Sequence, residues 1–248
     1  MTELNDDKLC ISSKRIELYD DKIGAVEYVS HMGTDLTVVN AARVSFGKEK
    51  DELSQSDVKL IGYLIENKHT STLEHNIVTF RFTVPLFIRS QHHRHRTWSY
   101  NEISRRYTSE RLRFYEPDSF RQQHKSNRQA STDIAIDPVV YAYEDGGSIT
   151  ATTLVKAHHA RSIELYESLL TSGVCREQAR GVLPQNLYTE YYGTVNLNNL
   201  LKFIELRLHD GAQWEIQRLA EACLEIAYEL WPSTVGAYRE IVHNCNSE

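Results

Sequence analysis

Residues 89–107 hold the densest group of chemically active side chains in the sequence. Arg94, His95 and Arg96 are adjacent, and Ser104 follows after seven intervening residues. Guanidinium groups are planar, permanently charged forks that match phosphate oxygens and carbonyl edges. The same stretch adds amide, carboxylate and hydroxyl groups at Asn101, Glu102 and Ser104. This mixture predicts a ligand that carries both an anionic group and a polar ring.

A basic run of this kind has an ordinary alternative, which is a solvated face or a loose nucleic-acid patch. Two observations favour a ligand site. Trp98, Tyr100 and Tyr107 are interleaved with the charges, and the segment follows a strand-like apolar run. The residues by themselves therefore favour a site for an anionic ligand and leave a surface patch as the alternative.

The overall charge favours a small ligand over a nucleic acid. The chain has 248 residues and a formal net charge of -6, with apolar and charged fractions typical of a globular protein. Residues 89–128 contain ten Lys/Arg and four Asp/Glu, a local charge of +6, so the remainder carries -12. A general nucleic-acid binder is usually basic overall. A basic site on an acidic body instead focuses small anions.

The four cysteines indicate a reducing compartment. Cys10, Cys175, Cys223 and Cys245 are scattered and form no CxxC pair, so neither a zinc site nor a disulfide framework is expected. The first residues are polar and acidic, and no apolar run approaches the ~20 residues of a membrane span. These features predict a cytoplasmic protein with no membrane contact.

Alternating residues predict the strands. Ile77 to Val84 places Val78, Phe80, Phe82 and Val84 on one face, as in a half-buried strand. Tyr188 to Val195 is rich in β-branched and aromatic residues, and Val26 to Ser30 resembles a shorter strand.

Helical periodicity predicts the remaining elements. Asp35 is the expected N-cap of the first helix, and Ser54 or Ser56 caps a second helix that continues to Asn67. Pro85 suits the first turn of a helix on which Gln91 and His95 share a face. A later helix is expected from Thr152 to Ser172, with Gly173 at its end and with these residues inward: Leu154, His158, Leu165, Leu169 and Leu170. The last expected helices are one capped by Asn196, one from Gln213 to Leu230, and a short one after Pro232.

Three regions have a less regular sequence. Residues 1–12 are expected to be frayed, residues 114–150 are expected to be loop-rich, and Asp145 to Ser148 is expected to form a loop. A cluster of His and Glu at residues 69–75 invites a metal interpretation, but its spacing fits no common ligand pattern, so no metal site is predicted.

Several separated segments resemble one family. Arg94-His95-Arg96, seven residues and then Ser104 are similar to the RHR-x7-S signature of flavin-dependent thymidylate synthases. Residues 69–75, Ala179 to Pro184, Glu205 to Arg207 and Ala212 to Ile216 resemble the family in the same order. The resemblance implies an α+β fold with a central, mostly antiparallel sheet flanked by helices, in one domain over residues 1–248.

The resemblance also implies two sets of site residues. For the flavin it implies His69, Ser71, Glu74, Arg94, His95, Arg96, Glu102, Asn196, Asn198 and Lys202. For the nucleotide substrate it implies Gln91, Arg94, Glu102, Ser104, Arg106, Arg180 and Arg207. Asn198, Lys202 and Gly211 depart from members that have Arg, Asn and His there, so the flavin map is less defined at these positions.

Arg207 is the residue whose position asks most for an explanation. It interrupts the apolar stripe of Leu200, Ile204 and Leu208, where an unpaired charge is costly. The ordinary explanation is a structural ion pair. The resemblance instead implies a catalytic contact with the uracil ring of the substrate.

The implied reaction is reductive methylation of dUMP to dTMP, with FAD as cofactor and with methylenetetrahydrofolate and NADPH as co-substrates. The resemblance further implies a homotetramer with active sites shared between subunits. Two other classes stay open at this point: a nucleic-acid-binding module that uses the basic aromatic stretch, and a flavoprotein with different chemistry, such as an NADPH oxidase.

Overall fold

Strand β3 (Ile77–Pro85) is the centre of the structure because it pairs on both sides and alternates in polarity. In the computed structural model, which describes residues 14–143 and 147–245 with side chains to residue 241, Val78, Phe80, Phe82 and Val84 are fully buried. The opposite face is polar, with the Thr79 hydroxyl 2.9 Å from that of Thr194.

The described part of the chain forms a five-stranded antiparallel sheet in the order β1-β2-β3-β9-β4. Two separate two-stranded hairpins, β5-β6 and β7-β8, lie within residues 114–150. The strands are β1 (Arg15–Glu17), β2 (Ala25–Met32), β3, β4 (Ser99–Glu102), β5 (Phe120–Gln123), β6 (Ser131–Ile136), β7 (Val139–Ala142), β8 (Ser148–Thr150) and β9 (Tyr188–Asn196).

The helices supply the apolar stripes that cover the sheet. They are α1 (Asp35–Arg43), α2 (Gln55–Glu66), α3 (Leu86–His92), α4 (Ala151–Thr171), α5 (Arg176–Ala179), α6 (Leu197–Leu208), α7 (Trp214–Leu230) and α8 (Pro232–Cys245). One core cluster joins the apolar face of β3 to Leu200 and Phe203 of α6 and to Ile216 and Leu219 of α7. A smaller cluster holds α4 against residues 179–187.

The α+β fold with its antiparallel sheet is confirmed, and so are the main strands to within a few residues. Asn196 caps α6 as predicted, because its side-chain oxygen accepts the backbone N–H of Asn199 at 2.9 Å. Gly173 follows α4 with φ +85°, a left-handed conformation that glycine adopts without strain.

One local prediction was wrong at the start of a helix. Thr34, not Asp35, precedes α1 as its N-cap, and the Thr37 hydroxyl accepts the Thr34 N–H at 3.0 Å. Asp35 is buried in the first turn and accepts the backbone N–H groups of Ser233 and Thr234, both at 2.9 Å. The carboxylate thus fixes the start of α8, a distant contact that local sequence does not reveal.

The inward face of α4 also differs from the prediction. His159, Ser162 and Tyr166 are buried, whereas His158 and Leu165 are exposed. His159 stacks on Phe114 at a centroid distance of 4.5 Å. Because His159 is buried and not His158, the buried face of α4 is rotated by about 100° about the helix axis from the predicted face. On α2, Val58 is exposed, whereas Ile61 and Leu64 are buried.

The region 114–150 contains more regular structure than expected, because β5 to β8 lie within it. Ser148, expected in a loop, begins β8. Residues 145 and 146 of that expected loop and the expected frayed residues 1–12, which include Cys10, lie outside the described residues. Helix α8 is 14 residues long where a short helix was expected.

Asp57 is a fully buried carboxylate that links α1, α2 and the connection between them. Its oxygens accept hydrogen bonds from Lys50 Nζ at 2.7 Å, from the Ser54 N–H at 2.9 Å and from Arg43 Nη2 at 2.5 Å. The Lys50 contact, followed by those of Ser54 and Arg43, holds the pKa of Asp57 well below its ordinary value.

We expect Asp57→Asn to lower the melting temperature at pH 7 by about 5 °C or more, because two cations lose their carboxylate. A carboxyl with a depressed folded-state pKa stabilises the protein above its unfolded pKa, about 3.9, and this contribution is lost as the pH falls. Urea unfolding of both proteins from pH 7 to 3 checks the prediction. The difference in unfolding free energy between the wild type and Asp57→Asn should narrow below pH ~4. The control variant Asp51→Asn, at an exposed position, should leave stability unchanged. A difference that does not depend on pH would contradict a stabilising role of the ionised Asp57 carboxylate.

Candidate functional site

The segment with the RHR signature begins where helix α3 ends. The His92 ring is completely buried against Trp98 and Phe203, at centroid distances of 4.5 and 4.8 Å, and one ring nitrogen lies 2.8 Å from the Tyr191 hydroxyl. This packing stops the helix at His92. The prediction that Gln91 and His95 share a face of one helix was therefore wrong, since His95 lies in the following turn, with its N–H donating to the His92 carbonyl at 3.0 Å.

The turn sends the three signature residues in different directions. Arg94 and Arg96 are exposed, whereas His95 is half-buried and packs edge-on against Phe203 at 4.8 Å. The aromatic residues that were interleaved with the charges serve mainly as packing groups, because Trp98 is 5% exposed and the Tyr100 ring stacks on His93 at 4.0 Å. Only Tyr107 among the three is largely exposed, at 78%.

Arg207 meets this turn from helix α6. Its Nε donates to His95 Nε2 at 3.1 Å, and its Nη2 donates to the Gln91 carbonyl at 3.4 Å. No carboxylate of the described residues forms an ion pair with it. The structural ion pair that would explain this cation ordinarily is therefore not observed in that part of the chain, and Gln91, His95 and Arg207 come together as one group.

The environment keeps His95 neutral. Burial, and then the Arg207 cation, lower the pKa of His95 to about 4. Because Nε2 accepts from Arg207, the single ring proton of the neutral form lies on Nδ1. Burial also lowers the pKa of Arg207, whose ordinary value is high enough for the guanidinium to remain charged.

A second group lies where β9 passes into α6. Asn198 is buried and its amide donates to Glu74 Oε1 at 2.9 Å, so two predicted flavin residues contact each other. The other predicted members in this area are half-buried or exposed: His69, Ser71, Asn196 and Lys202.

A third group surrounds the end of β4. Glu102 accepts from the Thr189 hydroxyl at 2.7 Å and forms an ion pair with Arg89, whose Nε lies 3.2 Å from a Glu102 carboxylate oxygen. Ser104 accepts the Arg106 N–H at 3.3 Å, and the Arg106 guanidinium is exposed.

Arg180 follows α5 and stands apart from these groups. Its Nε donates to the Glu177 carbonyl at 3.4 Å and its guanidinium is exposed. It contacts none of the other predicted nucleotide residues within its own chain.

Helix α6 separates the first two groups. Asn198 and Arg207 are nine residues apart, which is about 13 Å along the axis and half a turn in phase. The Glu74–Asn198 group and the Arg207 group therefore lie on opposite sides of the helix.

The arginines of these groups have the chemistry of an anion site. Arg94, Arg96, Arg106, Arg180 and Arg207 form no ion pair with a carboxylate in the described part of the chain. Unpaired guanidinium forks together with an imidazole and hydroxyl groups suit the diphosphate and polar ring of a dinucleotide. The residues present thus fit a flavin nucleotide as well as a nucleotide monophosphate.

Sequence reasoning missed four residues next to this site. Gln213 and Glu215 lie at the start of α7, Arg121 lies on β5, and Arg89 on α3 pairs with Glu102. The amide Nε2 of Gln91 donates to Gln213 Oε1. The only sequence signal was that residues 212–216 resemble the family.

Two features are absent from the described residues. No group of three or more His, Cys, Asp or Glu side chains is arranged to hold a metal ion. None of the described helices is both long enough and apolar enough to cross a membrane.

The α+β sheet thus brings a cationic, histidine-lined turn against an arginine-bearing helix, and this arrangement is suited to an anionic ring compound. Comparison with known proteins identifies the class further. Residues 27–233 match the sequence model of the family described as thymidylate synthase complementing protein. The chain is 42% identical over 217 residues to a flavin-dependent thymidylate synthase of Thermus thermophilus, covering 88% of this chain and 76% of that protein.

A second relative and a solved structure indicate the same family. The flavin-dependent thymidylate synthase of Thermotoga neapolitana is 41% identical over 218 residues, with 87% of this chain and 90% of that protein covered. The crystal structure of a UMP/dUMP methylase, PolB from Streptomyces cacaoi, bound with 5-Br dUMP has a TM-score of 0.73 at 35% identity, covering 87% and 94% of the two chains. The chain belongs to the flavin-dependent thymidylate synthase family.

We expect His95 to titrate with a midpoint of about 4, which NMR of ring-labelled histidine can follow. In Arg207→Met this midpoint should move up toward 6.5 without reaching it, because the cation is removed while burial, the larger cause, remains. Arg239→Met, on the distant helix α8, should leave the midpoint unchanged. A wild-type midpoint near 6.5, or no movement in Arg207→Met, would show that the pair is not formed in solution.

Proposed function

We propose that this chain catalyses the reductive methylation of dUMP to dTMP, with methylenetetrahydrofolate as the one-carbon donor and with FAD and NADPH supplying the reducing equivalents. The observation that carries the proposal is the position of Arg207. A cation on a core helix, without a carboxylate partner in the described part of the chain and held by a neutral histidine, is best explained by a polar ligand in front of it.

Bound FAD would supply the hydride chemistry, while the protein supplies binding, orientation and electrostatics. The unpaired guanidinium groups of Arg94 and Arg96 would neutralise the diphosphate of the flavin nucleotide. His69, Ser71 and Lys202 offer further exposed donors, whereas Asn198 is engaged by Glu74. Asn198 would therefore act through Glu74 more than by donating directly.

The nucleotide would be held at both of its ends. Arg106 and Arg180 carry exposed guanidinium groups suited to the phosphate, each capable of a charge-assisted hydrogen bond of about 1.5–3 kcal/mol. Ser104 and Glu102 would orient the nucleotide between them, and Gln91 would contact the ring.

Arg207 would act on the ring itself. Its Nε is occupied by His95 and its Nη2 also donates to the Gln91 carbonyl, so the remaining Nη N–H groups would contact a carbonyl oxygen of the uracil. There the cation would stabilise the negative charge that develops as carbon 5 of the ring becomes nucleophilic. A preorganised donor of this kind contributes ~3–4 kcal/mol in other enzymes.

An electrostatic activation fits the cysteines of the described chain. Cys223 is fully buried, which raises the pKa of its thiol and disfavours the nucleophilic thiolate. Cys175 is exposed, and its Sγ lies 3.8 Å from Gln178 Oε1 without a basic side chain in hydrogen-bond contact. Cys245 lies in α8, but its side chain is outside the described residues.

The proposal includes a homotetramer with active sites shared between subunits, in the cytoplasm. Two features support an assembly. The predicted ligand residues of one chain point to different sides of α6, and large apolar side chains are exposed at Met32, Val44 and Phe46. The free thiols of Cys175 and Cys223 support a reducing compartment.

The alternative of a nucleic-acid-binding module is disfavoured by the burial of Trp98 and the stacking of Tyr100, because these rings are not available to stack on bases. An NADPH oxidase stays an outcome of the experiment that follows.

The purified chain should take up FAD and become yellow. NADPH should bleach the flavin, and dTMP should form only when dUMP and methylenetetrahydrofolate are both present. Absorption spectra and product chromatography measure the two steps. A protein that takes up no FAD would refute the proposal, and rapid NADPH turnover without dUMP and without dTMP formation would favour the oxidase.

Arg207→Lys should fold, bind FAD and be reduced by NADPH, yet make dTMP about 10²–10³-fold more slowly, because lysine keeps the charge but loses the fork that spans two acceptors. Melting temperature, flavin reduction and dTMP yield separate this from a structural role. Arg239→Lys on α8 is the matched control and should retain activity. Near-normal dTMP synthesis by Arg207→Lys, with a lowered melting temperature, would assign Arg207 to stability.

A further inference from the structure

A chain of side-chain hydrogen bonds connects the core to Gln91. Gln91 Nε2 donates to Gln213 Oε1, and Gln213 Nε2 donates to Glu215 Oε2 at 2.8 Å. Glu215 is 5% exposed, and its Oε1 accepts from Arg121 Nη2 at 2.8 Å and from the Tyr115 hydroxyl at 3.3 Å. We call Gln91, Gln213 and Glu215 the amide relay.

The far end of the relay sets the direction of every hydrogen bond in it. A carboxylate held by an arginine can only accept, so the group of Gln213 that faces Glu215 must be its NH₂. Gln213 therefore turns its side-chain carbonyl oxygen toward Gln91, and Gln91 must donate to that oxygen with its own NH₂ group. The two amide orientations, which would otherwise be interchangeable, are fixed by one buried charge.

The near end of the relay faces the site. Gln91 Oε1 has no hydrogen-bond partner among the described residues, and the Gln91 backbone carbonyl accepts from Arg207 Nη2 at 3.4 Å. Gln91 thus offers a ligand next to Arg207 an acceptor oxygen and, at most, one remaining N–H.

Uracil and cytosine differ in the positions of their hydrogen-bond donors and acceptors, and the Gln91 amide can distinguish the two patterns. Uracil carries a donor at ring nitrogen 3 and an acceptor oxygen at carbon 4. Cytosine carries an acceptor at nitrogen 3 and a donor amino group at carbon 4. An amide oxygen held toward the ring matches the nitrogen 3 donor of uracil and opposes the acceptor of cytosine.

We propose that Gln213 and Glu215 are positioning residues that orient the Gln91 amide so that the site accepts a uracil nucleotide and rejects a cytosine nucleotide. This inference rests on the proposed function, because it takes Gln91 as a ring contact of the dUMP site. Neither Gln213 nor Glu215 needs to touch the nucleotide.

The relay makes an unusual prediction for Glu215→Gln. Arg121 and the Tyr115 hydroxyl both donate to Oε1, so the substituted glutamine should keep its carbonyl oxygen at that position. Its NH₂ group then replaces Oε2 and donates to Gln213. The side-chain amide of Gln213 must then turn over, and so must that of Gln91. Gln91 would now present its NH₂ group to the ligand. Selectivity should therefore move toward dCMP, whereas Gln213→Met, which interrupts the relay, should leave the Gln91 amide free to take either orientation.

Calorimetric titration of the FAD-loaded proteins with dUMP and dCMP, in the absence of folate, measures this selectivity separately from turnover. Loss of one oriented hydrogen bond corresponds to about a tenfold change in the ratio of the two dissociation constants. We expect the wild type to favour dUMP, Gln213→Met to lose about tenfold of that preference, and Glu215→Gln to lose more and shift toward dCMP.

Gln217→Met is the matched control. Gln217 lies one turn further along α7 and donates to the His209 carbonyl at 3.0 Å, outside the relay. The preference of Gln217→Met for dUMP over dCMP should equal that of the wild type.

An unchanged dUMP to dCMP ratio in Gln213→Met would overturn the inference even if Glu215→Gln does not fold, because Gln213→Met keeps the Glu215–Arg121 pair. The same ratio change in Gln217→Met would also overturn it, since a general packing effect would then explain the result. A wild-type protein that binds FAD but neither nucleotide would instead refute the proposed function.

Discussion

The antiparallel pairing of β3 with β9 is the constraint on which the site depends. Pro85, at the end of β3, lies opposite Tyr188, at the start of β9, and Asn196 lies opposite Ile77. Helices α3 and α6 therefore begin at opposite ends of the same strand pair, about 27 Å apart at ~3.4 Å per residue. Because α6 must cover the apolar face of the sheet, it runs back toward the end where α3 begins. Its last turn consequently delivers Arg207 to Gln91 and His95.

The surroundings of this meeting point explain why an arginine can be kept there. His92 and Phe203 pack against one side of His95, and burial is the main cause of its low pKa. A neutral imidazole accepts the Arg207 hydrogen bond, whereas an imidazolium would repel the guanidinium. The aromatic residues near the signature thus set the protonation state of the histidine, which in turn orients the arginine.

The parts of this arrangement that follow local periodicity were predictable from the sequence. The alternation of Val78, Phe80 and Phe82 predicted β3, and the asparagine at position 196 predicted the start of α6. The end of α3 was not predictable, because it depends on the burial of His92 against residues from other elements. The amide relay was also beyond sequence reasoning, since the Gln91–Gln213 contact spans 122 positions. The predicted roles of the individual site residues in ligand binding stay predictions.

The arginines of the chain divide according to whether a carboxylate neutralises them. Arg43, Arg81 and Arg121 each pair with a buried or half-buried acid and fasten two elements together. Arg94 and Arg207 form no such pair in the described part of the chain. Many exposed arginines also lack a carboxylate partner, but Arg207 differs from them because it is half-buried on a core helix, where an uncompensated charge is costly. No carboxylate of the described residues neutralises the Arg207 guanidinium, so its charge is available to the ring of the proposed nucleotide.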